Sequence, residues 1–177
     1  MGLYKWQNIK RRIGHVKNPV GIEVGVFRGD LSKRLLANIP GLTLYMVDLW
    51  SAATYEGKGD ESASPEMRNE YEHNCENNYN ITINNTREFG RRAVIRRQDS
   101  GTAASTFQDG FFDFVFLDAD HSYEGVKADI IAWSPKVKKG GWLCGHDYGN
   151  FPGVNRAVDE LFPSAEIDTD YTWFVKL

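Results

Sequence analysis

The sequence predicts an α/β domain built on a doubly wound, mostly parallel sheet. Two observations carry this expectation. Short apolar runs of strand length alternate with stretches of helical periodicity from end to end. Such alternation closes into a parallel sheet with helices on both faces and right-handed crossovers. The last two runs stand too close together for a crossover helix, so the final strand should run antiparallel. The 177 residues amount to a single domain, 1–177. At this length folding hides roughly 70% of the unfolded surface, enough for a sizeable core.

The elements follow in order. Leu3, Trp6, Ile9 and Ile13 stand at helical spacing with Lys5, Lys10, Arg11 and Arg12 between them. They predict an N-terminal helix within residues 1–18, closed by Pro19. Val20–Val26 is a buried strand, and Gly29-Asp30 leads into a helix over Leu31–Asn38. Thr43–Trp50 is a second strand. Residues 51–64 are small and polar, and a loop of this length beside a strand end suggests a lid. Pro65 suits the first turn of a helix reaching about Tyr79. Ala93–Asp99 is the third strand and Thr102–Phe107 a helical turn. Phe112–Leu117 is the fourth strand and Tyr123–Trp133 a helix. Lys138–Gly141 is a turn before a fifth strand, Trp142–Gly145. Val154–Leu161 is a helix, and Glu166–Asp168 and Tyr171–Val175 form the terminal pair.

Composition narrows the class of function. Apolar residues at 41% and charged residues at 25% exclude a disordered chain. A net charge of −3 argues against nucleic acid or an anionic membrane as partner. No apolar run approaches the roughly 18 residues that span a bilayer, and the first residues lack a signal-peptide core. Gly2 lacks the Ser or Thr that favours myristoylation. A cytoplasmic location is expected, with Cys75 and Cys144 as reduced thiols.

In such a sheet ligands bind beyond the carboxyl ends of the strands. Strand one delivers Glu23, Gly25, Phe27 and Gly29, and glycines there let a backbone approach a ligand. Strand two delivers Asp48 and Leu49. Asp48 stands 23 residues after Gly25, which suits the two hydroxyls of a ribose. Strand three delivers Asp99 and Ser100, suited to an adenine amino group. Strand four delivers Asp118, Asp120 and His121, and strand five His146 and Asp147. A dinucleotide site needs G-x-G-x-x-G to hold a pyrophosphate. Phe27 occupies the second glycine position here and would crowd one. A ribose, an adenine and an amino-acid tail fit better, and that ligand is S-adenosyl-L-methionine.

The stretches EVGVFRGD, VDLW and LDADHSYEGVKADIIAWSPKVKKGGWLCGHDY together resemble the class I S-adenosylmethionine-dependent methyltransferases. Within these the chain is most similar to small-molecule O-methyltransferases related to the macrocin and cephalosporin-biosynthesis enzymes. The resemblance covers roughly residues 20–162 and implies a Rossmann-like seven-stranded sheet of order 3-2-1-4-5-7-6 with strand seven antiparallel. It places Glu23, Gly25 and Gly29 at the methionine end, Asp48 at the ribose, and Asp99 with Ser100 at the adenine. Several relatives hold a divalent cation at the ends of strands four and five. The matching positions are Asp118, His146 and Asp147. Two carboxylates suit Mg²⁺, while His146 leaves a softer ion, or none, open. In catechol-type relatives a lysine base takes the place of His121, which implies a histidine base with a pKa near neutrality.

Other features have plainer readings. Asp120 is expected to cap the helix after strand four. Arg87, Arg91, Arg92, Arg96 and Arg97 read as a solvated corner, with a phosphate-bearing substrate as the alternative. The expected activity is methyl transfer to an oxygen of a small-molecule acceptor, with His121 and Asp118 as catalytic groups. Two rivals remain: an NAD(P)-dependent oxidoreductase, and a protein that binds S-adenosylmethionine without turnover. The oligomeric state and the acceptor stay open.

Overall fold

The computed structural model describes residues 4–51 and 65–177. All of the expected lid except Ser51 lies outside these described residues. The elements are α1 (Lys5–Ile13), β1 (Val20–Val24), α2 (Asp30–Asn38), β2 (Thr43–Asp48), α3 (Pro65–Thr86), β3 (Ala93–Arg97), α4 (Ser100–Ser105), β4 (Phe112–Leu117), α5 (Tyr123–Trp133), β5 (Val137–Gly145), α6 (Pro152–Leu161), β6 (Glu166–Ile167) and β7 (Trp173–Lys176). A 3-10 turn over Arg87–Arg92 joins α3 to β3.

The seven strands form one sheet of order β3-β2-β1-β4-β5-β7-β6. The strands from β1 to β5 pair in parallel. β7 runs antiparallel to β5 and to β6. The order and the antiparallel strand match the sequence expectation. The strand order reverses between β1 and β4, which opens a crevice above their carboxyl ends.

Strand alternation supplies both cores. Val115 and Leu117 of β4 face a cluster with Val126, Ile130 and Trp133 of α5 and Val154 and Val158 of α6. Phe114 and Phe116 face the other side, against Ile9 and Ile13 of α1 and Leu35 and Leu36 of α2. A sheet buried on both faces needs such near-continuous apolar strands.

Two elements depart from expectation. α3 continues seven residues past Tyr79, through a run rich in Asn and Thr that is intrinsically poor for helix. Tertiary contact overrides propensity there. Thr82 is buried, bonds back to the carbonyl of Asn78, and donates to the carbonyl of Phe27 at 3.0 Å. The turn and short strand expected at residues 138–145 belong to one strand, β5, with a register shift opposite Phe112–Phe114.

Candidate functional site

The loop after β1 sets the geometry. Gly25 has φ +87°, and a Cβ there would lie 2.1 Å from the carbonyl oxygen of Asp118. Only glycine permits both that torsion and that approach. Phe27 is left-handed too, at φ +56°, though it is not glycine. Such a residue costs of order 1–3 kcal/mol and persists only where its surroundings fix it. Here they do. The amides of Val26 and Phe27 donate to Asp48 Oδ2 at 2.8 and 2.9 Å. The carbonyl of Phe27 accepts from the Trp50 indole at 2.7 Å. Gly29, at φ +73°, then turns the chain into α2.

Asp48 therefore ties the loop to β2. Its Oδ1 also accepts the Trp50 amide at 2.8 Å. A carboxylate offers about four acceptor directions, so these three bonds leave room for one ligand hydroxyl. Glu23 is buried under the loop and accepts the hydroxyl of Ser32. Burial pushes its carboxyl up to about 8, so it holds its proton at neutral pH.

Asp99 and Ser100 carry structural duties. Asp99 Oδ1 caps α4 by accepting the Thr102 amide at 2.9 Å. Bonding from the Thr102 side chain, and then from its amide, keeps the carboxyl below the usual range. The Ser100 hydroxyl accepts from the Trp133 indole at 2.8 Å and donates to Asp129. Asp129, on α5, faces the same cavity and was not singled out from the sequence. Its signal was its place on α5 within the segment after the fourth strand.

These groups surround a cavity of about 680 Å³, a size suited to a small-molecule site. Glu23, Gly25, Phe27, Asp48, Leu49, Asp99, Ser100, Asp118, His121, His146 and Asp147 all contribute to its wall. The expected site residues of five strand ends thus come together on one cavity, except Gly29, which turns the chain into α2 and is not part of the wall.

At the β4 and β5 side the cavity wall carries acids and imidazoles. Asp147 is left-handed, at φ +65°, and its Oδ2 stands 3.0 Å from His121 Nε2 and 3.2 Å from His146 Nδ1. Asp118 Oδ1 lies 4.0 Å from His121 Nε2 and 3.8 Å from His146 Nδ1. The His121 ring stacks on Phe151 at 4.4 Å. Burial alone would lower the imidazole pKa, but Asp118 and Asp147 outweigh it and raise His121 to about 10. That departs from the near-neutral histidine expected from sequence. The reason is the pair of carboxylates facing one ring. The same contacts hold the Asp147 carboxyl well below the usual range, against the opposing effect of burial.

Sequence reading missed Lys5. The lysine enters from α1, and its Nζ donates to Asp118 Oδ2 at 2.7 Å. In the sequence it is one of four basic residues between the apolar positions of the N-terminal helix. Nothing local marks it, because its partner lies 113 residues away.

Three further expectations need correction or refinement. The acidic and imidazole groups that converge are Asp118, His121 and Asp147, with one ligand atom from each within 4.8 Å of the others. His146 is as near, with its Nδ1 3.8 Å from Asp118 Oδ1 and 3.2 Å from Asp147 Oδ2, so His121 joins the expected Asp118, His146 and Asp147 rather than replacing one of them. The cap of α5 is Ser122, whose hydroxyl accepts the Gly125 amide at 3.1 Å. Asp120 instead accepts the Ser122 amide at 2.7 Å and shapes the turn before the cap. Within the arginine cluster, Arg92 donates to the carbonyls of Leu36 and Leu42, and Arg97 pairs with Glu76 at 2.8 Å. Both are committed to the fold at this corner.

The sheet order, the glycine turn and the acidic residue on the next strand define a nucleoside-cofactor enzyme of the doubly wound class. A protein-family profile described as a methyltransferase domain matches residues 22–148. The chain belongs to this family and is an S-adenosylmethionine-dependent methyltransferase. Among curated proteins none matches the sequence. Solved structures share the fold at low identity. The O-methyltransferase NovP superposes with a TM-score of 0.66 at 20% identity, over 97% of this chain and 78% of its own. CalS11, a TDP-rhamnose 3′-O-methyltransferase of calicheamicin biosynthesis, gives 0.62 at 16% identity, over 97% and 77%. A geranyl diphosphate methyltransferase in complex with S-adenosylmethionine gives 0.54 at 13%, over 80% and 47%. No described helix is long and apolar enough to cross a membrane.

Proposed function

We propose that this methyltransferase methylates an oxygen of a small-molecule acceptor. The observation that carries the reading is that His121, Asp118 and Asp147 open onto the same cavity as the glycine loop and Asp48. Cofactor and acceptor oxygen can therefore meet there. The likeness of NovP and CalS11, both described as O-methyltransferases, supports oxygen as the atom methylated. The sequence resemblance to macrocin-type enzymes supports the same class.

S-adenosylmethionine lies with its methionine end at Gly25–Gly29, its ribose at Asp48 and its adenine between Asp99 and Asp129. The reaction is an in-line displacement. The oxygen–methyl bond forms as the sulfur–methyl bond breaks, and S-adenosylhomocysteine leaves with the electron pair. The leaving group is good, so the protein supplies alignment and removes the hydroxyl proton. His121 in its neutral form accepts that proton and becomes the imidazolium that Asp147 and Asp118 stabilise. Phe151 fixes the ring plane by stacking. The two carboxylates make the neutral imidazole a strong base, at the cost of keeping most of it protonated at neutral pH.

A second reading is favoured by the convergence of Asp118, His121 and Asp147. Two carboxylate oxygens and an imidazole nitrogen suit a borderline or hard divalent cation. Asp118, His121 and Asp147 would hold it, and it would lower the pKa of an acceptor hydroxyl. His121 would then be a ligand, and the proton would leave by another route.

The test uses S-adenosylmethionine labelled in its methyl group with a panel of sugars, phenols and carboxylic acids. The expected product carries the label on oxygen, located by NMR. A label on nitrogen or carbon in the best acceptor would overturn the oxygen assignment. Repeating the assay in EDTA separates the two readings.

A further inference from the structure

The geometry points to Lys5 as a resident counter-ion that competes with a divalent cation for Asp118, so that the N-terminal helix sets the cation affinity of the site. This inference rests on the second reading above.

The site places two carboxylates on one point, and such a pair is unfavourable without positive charge between or beside it. Lys5 supplies a full positive charge. Its ammonium takes Asp118 Oδ2 at 2.7 Å and lies 5.9 Å from the Phe116 ring centroid. The Asp118 side chain is only 16% exposed, so water screens this pair weakly. A cation that binds Asp118, His121 and Asp147 has to share Asp118 with the ammonium. It meets a like charge a few Å away, or displaces it.

The placement of Lys5 follows from how α1 is anchored. Ile9 and Ile13 are buried against the sheet. Asn8 donates its side-chain amide to the Thr169 carbonyl at 2.9 Å and to the Thr172 hydroxyl at 3.0 Å. Arg12 pairs with Asp168 and Glu166, each at 2.8 Å, and its guanidinium lies 3.6 Å from the Phe174 ring centroid. The Lys5 backbone amide itself donates to Asp170 Oδ2 at 2.9 Å. The helix is thus fastened at its first residue and along its length. The ammonium reaches Asp118 on a flexible four-carbon stem. It can swing off the carboxylate while α1 stays docked, so competition needs only a side-chain rotation.

The consequence is specific. Removing the ammonium should strengthen cation binding, although it removes a bond from the site. A lysine that merely supports the fold would do the reverse, or nothing. A guanidinium at this position keeps the charge and should keep the competition.

The experiment is Mn²⁺ binding to the full-length protein, followed by EPR and calorimetry, for the wild type, Lys5→Met and Lys5→Arg. Loss of one adjacent positive charge and its charge-assisted bond should tighten Mn²⁺ binding by about tenfold or more in Lys5→Met. Lys5→Arg should stay near the wild type. Circular dichroism and thermal unfolding establish that each variant folds. If Lys5→Met proves unstable, Lys5→Gln provides the second test. It keeps a polar group that can donate to Asp118 but removes the charge, so it should also tighten Mn²⁺ binding. Equal affinity in all the proteins, or weaker binding in Lys5→Met, would overturn the competition while leaving the cation site standing. No binding to any of them would overturn both the competition and the cation reading.

Discussion

Asp147 Oδ2 stands 3.0 Å from His121 Nε2, and the ring it faces is stacked on Phe151 at 4.4 Å. The contact joins the carboxyl end of β5 to the turn after β4. It depends on the left-handed torsion of Asp147, because an extended backbone there would carry the carboxylate elsewhere. The pair resembles the base-and-orienter arrangement of many hydrolytic and transfer enzymes. Asp147→Asn keeps the shape and removes the charge. It should lower kcat by about 10²-fold, in the range of a general-base effect, with the KM for S-adenosylmethionine nearly unchanged. His121→Ala should lower kcat at least as much. A kcat within twofold of wild type in steady-state assays of both variants would remove this pair from the chemistry.

Asp48 tests the cofactor assignment. Its carboxylate binds three backbone amides of the surrounding loops and is proposed to take a ribose hydroxyl as well. Asp48→Ala should weaken S-adenosylhomocysteine binding by about tenfold or more in calorimetry, since both the ligand and the Phe27 amide lose a charged acceptor. The Phe27 loop should loosen too, visible as faster amide exchange at Val26 and Phe27. Faster exchange with unchanged affinity would leave Asp48 a loop anchor only.

Glu23 governs part of the pH dependence of stability. Its carboxyl is raised by burial to about 8, above its ordinary value of 4.5. The unfolded chain releases this proton first as pH rises, so it binds fewer protons than the folded protein in that window. Stability from this group is therefore full below about 4.5 and declines as pH climbs towards 8. Glu23→Gln keeps the hydrogen bond to Ser32 and removes the titration. Denaturant unfolding from pH 5 to 8 should show a downward slope for the wild type that is flatter in Glu23→Gln. Identical slopes would mean that Glu23 ionises normally in the folded protein.

The sequence made the strand ends legible and left the contacts among them open. β4 could be read directly, because six apolar or half-buried residues end in Asp118 at a turn. Gly25, Asp48 and Asp118 could be placed on one edge because a parallel sheet puts every strand's carboxyl end there. That His121 would join His146 against the two carboxylates was not legible. It turns on the torsion of Asp147 and on the stacking of His121 against Phe151, neither of which has a local pattern. Lys5 was hidden by its helix, where lysine between apolar positions ordinarily means a solvated face. The long α3 was hidden by its weak helix formers, whose support comes from Phe27 and Gly29 rather than from neighbours in sequence.

Gly25 gives the sharpest test of how fold and site share one constraint. A Cβ at this position would sit 2.1 Å from the carbonyl oxygen of Asp118 and 2.4 Å from its carbonyl carbon. Both are backbone atoms, so no rotamer change relieves the clash. The torsion of +87° adds strain for any L side chain. Gly25→Ala must therefore push the β1 loop away from the end of β4. It should destabilise the protein by at least about 2 kcal/mol, the combined scale of a strained torsion and a steric clash in a packed region. The displaced segment carries the amides that Asp48 holds, and Asp118 lies on the other side of the clash. Cofactor binding and turnover should fall together, unlike Asp147→Asn, which spares binding. Urea unfolding, calorimetry with S-adenosylhomocysteine and steady-state assays on the one variant check all three. A Gly25→Ala protein with wild-type stability would mean that the loop stands farther from Asp118 than this geometry requires.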